Sequence, residues 1–266
     1  MEMLIVADNL HVIDPLIAAA LEDMNPGPIQ TLARKCLSAG AQALDINSGP
    51  LRRGPRKRFA FFVDAVQAVG NVPLVLDTTN PQALRAGLQA CRPRVIINGF
   101  SAEPARIENI LPLALEFDAD IIGYLLRCDG SVPLEADEMM SLAIDLVAAS
   151  SAAGLPSERL IIDPIIAPVS WEKGIQHNRA VLAVLAGLQE LLGFPVRTIA
   201  GLSNLASGPV SVARKIALES AFLPMLAAAG LDMVMMNVLH PPCVRLARTC
   251  SALLSDRIFA WVEMDP

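Results

Sequence analysis

The sequence predicts a single closed (β/α)8 barrel built from the whole of residues 1–266, and three observations indicate this fold class. Eight short apolar segments alternate strictly with helical segments, which is typical of a parallel sheet. The length of 266 residues is close to the roughly 250 residues typical of such a barrel. No linker divides the chain and no G-x-G-x-x-G motif follows a strand, which disfavours an open dinucleotide-binding sheet.

The segment from Leu74 to Asn98 shows the repeating unit most clearly. LVLD and VIIN are short apolar runs without alternation, as expected for parallel strands that are buried on both faces. The first run ends in Asp77 and the second in Asn98. Between them, Asn80 and Pro81 supply a helix cap and a first helical residue. The segment therefore predicts a strand, a helix and a second strand.

The other elements follow the same pattern in chain order. Apolar runs predict the remaining strands at 4–7, 43–46, 120–126, 159–162, 196–200 and 232–236. Helical spacing of apolar residues predicts the remaining helices at 28–38, up to about 69 after a basic loop, and at 105–117, 135–153, 177–192, 216–229 and about 242–261. Gly40, Gly154 and Gly230 follow three of these helices and are typical helix stops.

Composition and charge exclude several classes of protein. Apolar residues make up 53% of the chain and charged residues 18%, so a large core can form and disorder is excluded. The net charge of −6 argues against nucleic-acid binding. No run approaches the ~18 apolar residues of a membrane helix, and the N-terminus lacks the features of a signal peptide. We therefore expect a cytoplasmic protein with no nucleic-acid or membrane partner.

Cysteine usage indicates a chain without disulfides. The count of five is odd and no C-x-x-C motif occurs, so a disulfide framework or an iron–sulfur site is not expected. His240 and Cys243 could begin a zinc site, but the sequence offers no evident third ligand. We therefore expect no metal, with helix capping or a surface position as the role of His240.

Polar side chains follow the predicted strands where a barrel of this class places its active site, at the carboxyl ends of the strands. These residues are Asn9, Asn47, Asp77, Asn98, Asp163, Asn204 and Asn237, with Asp45 inside the second strand. Ionised Asp accepts hydrogen bonds and Asn both donates and accepts them. A carboxylate can accept two parallel N–H bonds, so such a ring suits a neutral, planar nitrogen heterocycle. The segment from Gly201 to Asn204 lacks the basic side chains that a phosphate would need.

Four motifs in order resemble the pterin-binding methyltransferases. They are LDTTN, VIIN, IDP with I-I-x-P at 162–168, and GLSN at 201–204, and ALDINSGP resembles the second-strand motif of the same family. The likeness is strongest to the methyltetrahydrofolate:corrinoid-protein methyltransferases and covers about residues 4–237. Dihydropteroate synthase shares this barrel, but the diphosphate cradle that it needs has no counterpart in this sequence.

The resemblance implies a role for each matching residue. Asp77, Asn98 and Asp163 would hold the pyrimidine ring of a pterin, and Asn204 would act at N5, the nitrogen that carries the methyl group. Further substrate-binding candidates are Asp45, Asn47, Gly201 and Ser203. Tetrahydrofolate or its 5-methyl form would be the substrate, the corrinoid would belong to a partner protein, and the enzyme would be a homodimer.

Three features depart from the family or remain open. His11 stands in ADNLH where the family usually has Asn, and the loop at 205–215 lacks the usual polar segment. The basic loop at 52–58 is either a solvated loop, a contact for the glutamate tail of folate, or a contact for an acidic corrinoid protein. A folate-binding barrel that has lost catalysis is a further alternative, because its sequence would be nearly the same.

Overall fold

Eight parallel strands close into a barrel in chain order, which confirms the predicted fold class. The computed structural model describes residues 3–92 and 95–255. The strands β1 to β8 are Leu4–His11, Ala43–Asn47, Leu74–Asp77, Val95–Phe100, Asp120–Tyr124, Leu160–Asp163, Arg197–Gly201 and Met233–Met236. The barrel closes where β1 pairs with β8.

Helices surround the strands on the outside. The α-helices α1 to α10 are Pro15–Glu22, Pro26–Ser38, Pro55–Gln67, Pro81–Ala90, Pro104–Asn109, Leu111–Glu116, Ala136–Ala152, Gly174–Leu192, Val212–Ala228 and Pro241–Leu254, with short 3-10 helices at Ser157–Arg159 and Leu202–Ala206. The predicted cap at Asn80 is confirmed, because its side chain accepts hydrogen bonds from the backbone N–H groups of Gln82 and Ala83. Among the described residues, no helix has the length and apolar character needed to span a membrane.

Three differences from the sequence prediction have local causes. β1 extends to His11, because its pairing with β2 shifts register between Ala7 and Leu10 and then continues to the pair of His11 with Asn47. The single helix predicted at 105–117 is wrong, since α5 and α6 are separate helices. Pro112 explains the break, because it has no N–H to donate within a continuous helix and its ring clashes with the preceding turn. Helix α1 is absent from the prediction, and Asp14 caps it by accepting from Leu16 N.

Several boundaries also differ by a few residues. β5 ends at Tyr124 rather than at residue 126, and α8 and α9 begin three and four residues earlier than predicted. α10 ends at Leu254 within the described residues, and the part of the predicted helix at 256–261 lies outside them. All five cysteines are free thiols, as predicted, and Cys128 alone among them is exposed.

The core has two layers that position the site. Outward-facing strand residues pack against the helices in one large apolar cluster. The barrel interior is filled by a second, smaller cluster made of Val6, Ala43, Val75, Ile96, Ile122, Ile161, Ile199, Met233 and Met235. Because this apolar plug closes the middle of the barrel, the polar side chains one or two residues further along the strands form the floor and wall of its C-terminal mouth.

Candidate active site at the mouth of the barrel

Strand register places three of the predicted site residues side by side. Asn47 is the register partner of Asp77, and Asp77 is the partner of Asn98. The Asn47 amide donates to Asp77 Oδ2 at 2.6 Å and accepts from the backbone N–H of Gly49 at 3.0 Å. Asn47 is therefore held with its amide nitrogen toward Asp77. This fixed amide orients the Asp77 carboxyl at the mouth.

Asp45 lies beneath this row, in the register layer of Val75. Its side chain is buried, and Oδ1 has no hydrogen-bond partner within the described part of the chain. Burial raises the pKa of Asp45 well above its ordinary value, and the charges of Asp77 and Asp8 raise it further, while a hydrogen bond with Asn98 opposes the rise. An unpartnered buried carboxyl oxygen is costly. Asp45 Oδ1, at the floor of the mouth, can therefore form a hydrogen bond with a ligand.

Tyr124 connects the predicted residues on β4 and β6. Its hydroxyl donates to Asn98 Oδ1 at 2.5 Å, and its register partner is Asp163. A bulge between Asn98 and Phe100 brings the backbone close to β5. A Cβ at Gly99 would lie 2.4 Å from the Ile122 carbonyl oxygen, so only glycine fits there. Burial raises the pKa of the Tyr124 hydroxyl well above its ordinary value, so it acts as a hydrogen-bond donor.

Burial also shifts the two carboxyl groups at the strand ends. It raises the pKa of Asp77 to about 6, although the charge of Arg106 on α5 opposes the rise. It raises the pKa of Asp163 to about 7, although the backbone N–H of Ile165, which donates to Oδ1 at 2.7 Å, opposes the rise. Among the described residues, neither carboxyl group forms an ion pair that would hold it ionised. A ligand that donates N–H groups would supply that stabilisation.

The β7 side of the mouth carries Gly201, Ser203 and Asn204. The Ser203 hydroxyl donates to Asp8 Oδ2, which joins the end of β7 to β1. Burial raises the pKa of Asp8, and the Ser203 hydrogen bond opposes this rise. Asn204 is exposed, and its amide folds over Gly201, where a Cβ would lie 3.0 Å from Asn204 Nδ2. Asn204 is thus an amide available at the rim.

The structure brings the predicted residues to one end of the barrel, in two groups. Asp45, Asn47, Asp77 and Asn98 are contiguous, and Asp163 joins them through Tyr124. Gly201, Ser203 and Asn204 form the second group, linked to the first through Asp8, whose charge acts on Asp45. Asn9 and Asn237 at the neighbouring strand ends bond to each other at 2.7 Å.

Sequence reasoning missed three residues of this mouth. Tyr124 is the only tyrosine of the chain and ends a strand, so its type and position were a usable signal. Asp8 precedes the predicted strand-end residue Asn9, but its pairing with Ser203 across 195 positions leaves no local pattern. Arg106 appears in the sequence as an ordinary helix residue. Its proximity to Asp77 emerges only from the fold.

This arrangement defines a class of protein: a parallel barrel whose C-terminal mouth carries carboxyl and amide side chains at the strand ends. A family model described as "Pterin binding enzyme" matches residues 24–237. The chain therefore belongs to the family of pterin-binding enzymes.

One protein of known activity is similar to this chain in sequence, and two solved structures are similar to it in fold. The chain is 25% identical over 237 residues to a methylcorrinoid:tetrahydrofolate methyltransferase of Eubacterium limosum, a match that covers 88% of this chain and 85% of that protein. Its fold is similar to dihydropteroate synthase of Stenotrophomonas maltophilia, with a TM-score of 0.71, 19% identity, and coverage of 97% and 95% of the two chains. Dihydropteroate synthase of Xanthomonas albilineans gives a TM-score of 0.69 at 19% identity, covering 96% and 94%.

Proposed function

We propose that this protein transfers a methyl group between N5 of tetrahydrofolate and the cobalt of a corrinoid protein. The carboxyl and amide groups at the mouth carry the proposal, because a pterin edge offers the N–H donors that carboxylates accept and because Asp45 Oδ1 at the floor is buried without a partner among the described residues. The Eubacterium limosum relative, a methylcorrinoid:tetrahydrofolate methyltransferase, supports the reaction type. The two substrates would meet at the open rim, where Asn204 is exposed.

The pterin would be held by the first group of mouth residues. An ionised Asp77 can accept two parallel N–H bonds from the ring N–H and amino group of the pyrimidine, as carboxylates do from an arginine fork. Asp163 and Asn98 would complete the contacts to the remaining edge atoms. Because each bond to a charged acceptor contributes about 1.5–3 kcal/mol, these contacts can offset the cost of ionising buried acids.

Asn204 would act on the leaving or attacking nitrogen. When cobalt(I) takes the methyl group, the N5–methyl bond breaks, its electron pair remains on nitrogen, and the cobalt is oxidised formally to cobalt(III). N5 must be protonated or strongly hydrogen-bonded for this to occur, because a tertiary amine leaves poorly. In the reverse direction the N5 electron pair attacks the methyl group, and the electron pair of the cobalt–carbon bond stays on cobalt. N5 then loses its proton. A donor that holds N5 more tightly as charge develops lowers both barriers.

The loop after β7 argues against a diphosphate-handling synthase. It runs through Leu205 and Ala206, which are buried, and then through small residues to Pro209. The nearest cations in sequence, Arg214 and Lys215, lie on α9 rather than in the loop. A diphosphate leaving group needs basic side chains or a glycine-rich cradle at this place. The mouth therefore favours methyl transfer over the synthase reaction.

The proposal is tested by mixing the purified protein with 5-methyltetrahydrofolate and chemically reduced free cobalamin under anaerobic conditions. Conversion of the cobalt(I) spectrum to that of methylcobalamin, dependent on protein and on folate, is the expected result. The reverse mixture, methylcobalamin with tetrahydrofolate, should give cobalt(I). Folate binding without transfer in either direction would instead favour the non-catalytic docking module, and condensation of a pterin diphosphate with 4-aminobenzoate would favour the synthase.

Three further expectations belong to this proposal. The whole of residues 1–266 would form one domain, and the enzyme would work as a cytoplasmic homodimer. The basic residues at 52–58 would be solvated, or would contact either folate or the corrinoid partner. Light scattering of the purified protein tests the homodimer. A monomeric mass at assay concentration would remove that expectation and leave the reaction unaffected.

A further inference from the structure

Three potential metal ligands converge beside the seam where the barrel closes. They are Glu219 on α9, His240 at the N-terminal boundary of α10, and Cys243 in its first turn. One ligand atom of each residue lies within 4.8 Å of one ligand atom of each of the others. Glu219 supplies the third ligand. The sequence did not reveal this residue, because it precedes His240 by 21 positions and belongs to another helix.

The distances between the ligand atoms suit a tetrahedral metal ion. His240 Nδ1 lies 3.2 Å from Glu219 Oε2, and Cys243 Sγ lies 3.7 Å from the same oxygen. Zinc bonds of about 2.0–2.1 Å to nitrogen, 2.0–2.2 Å to oxygen and 2.3 Å to sulfur, at tetrahedral angles, place nitrogen and oxygen about 3.3 Å apart and sulfur and oxygen about 3.6 Å apart. The nitrogen–oxygen and sulfur–oxygen pairs already have these separations, and the His240 and Cys243 ligand atoms lie within 4.8 Å of each other.

Burial makes this cluster different from an ordinary surface group of polar residues. Glu219 is 2% exposed and Cys243 is fully buried. The side chain of His240 is 12% exposed, so an ion can reach the cluster past His240. A carboxylate, an imidazole and a thiol together form the mixed oxygen, nitrogen and sulfur donor set that zinc accepts.

We propose that Glu219, His240 and Cys243 bind one divalent metal ion of the zinc class, with a fourth position open to water or another small ligand. This site replaces our initial expectation from the sequence that the protein has no metal. It adjoins the mouth at the β8–β1 seam, where Asn237 connects His240 to Asn9. The metal would fix α9 against the start of α10.

The hydrogen bonds around His240 indicate how the site changes when it is filled. The backbone N–H of Val238 donates to Asn9 Oδ1 at 3.1 Å, and Asn9 Nδ2 donates to Asn237 Oδ1 at 2.7 Å. These bonds turn Asn237 Nδ2 toward His240 Nε2, at 3.3 Å. Without metal, His240 therefore carries its proton on Nδ1 and donates it to Glu219.

Metal binding at Nδ1 must move that proton to Nε2, where it would face the Asn237 amide hydrogens. Cys243 would lose its thiol proton to solvent, since the thiolate is the ligand form. Asn237 thus opposes the metal-bound state. An Asn237→Asp carboxylate would instead accept from Nε2–H, from Asn9 and from the backbone N–H of Leu239, which already donates to Oδ1 at 2.9 Å. A carboxylate behind a ligating histidine is the usual supporting group.

The test is a titration of the chelator-treated full chain with Co²⁺. We expect about one equivalent to bind, with a thiolate-to-cobalt charge-transfer band and the intense visible bands of tetrahedral cobalt, and Zn²⁺ should displace it. Cys243→Ala should abolish the charge-transfer band, whereas Cys128→Ala, which removes an exposed thiol, should leave it unchanged. Asn237→Asp should tighten binding by about 10–100-fold, the usual contribution of such supporting groups.

Two results would overturn the proposal: a wild-type spectrum without a thiolate band, and a band that survives in Cys243→Ala. Either would show that the cluster is a hydrogen-bonded group and not a metal site. An Asn237→Asp variant that binds cobalt no more tightly than wild type would overturn the role of Asn237 in opposing the metal-bound state. Because the titration contains neither folate nor corrinoid, its outcome is independent of the proposed methyl transfer.

Discussion

Replacing Asp163 by Asn should stabilise the protein in a manner that depends on pH. The pKa of Asp163 rises from its ordinary value of 3.8 to about 7 because the carboxyl is buried. The folded state therefore holds this proton more tightly than the unfolded state. The penalty for ionising the group is absent below pH 3.8, grows as the pH rises, and is complete above about pH 7.

The rise in pKa sets the size of the effect. At 1.36 kcal/mol for each tenfold change in proton affinity, the full penalty amounts to about 4 kcal/mol. The amide oxygen that the substitution introduces can still accept from the backbone N–H of Ile165, so the change removes the charge and keeps the main hydrogen bond. We expect Asp163→Asn to raise the free energy of unfolding by up to about 4 kcal/mol at about pH 8, and by less than half of that at about pH 5.

Urea denaturation at the two pH values, followed by circular dichroism, measures this difference. Asp64→Asn is the matched control, because it removes an exposed carboxyl on α3, and its effect should stay within about 0.5 kcal/mol at either pH. A variant that is less stable than wild type at the higher pH, or equally affected at both, would refute the reasoning. The stability gained by Asp163→Asn is the stability that the wild-type protein loses by keeping a buried acid in its binding site.

Three further predictions concern the ligand and the mouth. Asp77→Asn should weaken binding of 5-methyltetrahydrofolate by about 10–100-fold, from the loss of a charged acceptor, as measured by calorimetry; unchanged affinity would count against the pocket. Wild-type affinity should fall as the pH drops through about 7 and then about 6, because protons then compete with the ligand at Asp163 and Asp77; a flat profile between about pH 5 and 8 would contradict this. Tyr124→Phe leaves Asn98 Oδ1 without its donor and should weaken binding by about tenfold, roughly 1–2 kcal/mol, with little change in fold; wild-type affinity would show that Tyr124 does not position Asn98.

The fold and the general place of the site could be predicted from sequence because both rest on local patterns. Leu74–Asp77 is an apolar run that ends in a polar residue, and the same design repeats around the barrel. Since parallel strands end at the same edge, Asp77 and Asn98 had to be neighbours once the alternation was recognised. The register that pairs them confirms this step.

The missed features depend on contacts between distant parts of the chain. Ser203 bonds to Asp8, and Glu219 approaches His240 from another helix, and neither pairing leaves a trace in spacing or composition. The raised pKa values of Asp77 and Asp163 likewise come from burial in the closed barrel. By contrast, the break between α5 and α6 could have been predicted from the sequence, because Pro112 lies inside the segment predicted as one helix.

The most direct test of the central claim is the single-turnover rate of methyl transfer from 5-methyltetrahydrofolate to cobalt(I) cobalamin in Asn204→Ala. The account predicts a rate lower by about 10²–10³-fold, corresponding to about 2.7–4 kcal/mol of transition-state stabilisation, with folate affinity nearly unchanged. Asn71→Ala, which changes an exposed asparagine in the segment before β3, should match wild type. A wild-type rate in Asn204→Ala would contradict the account.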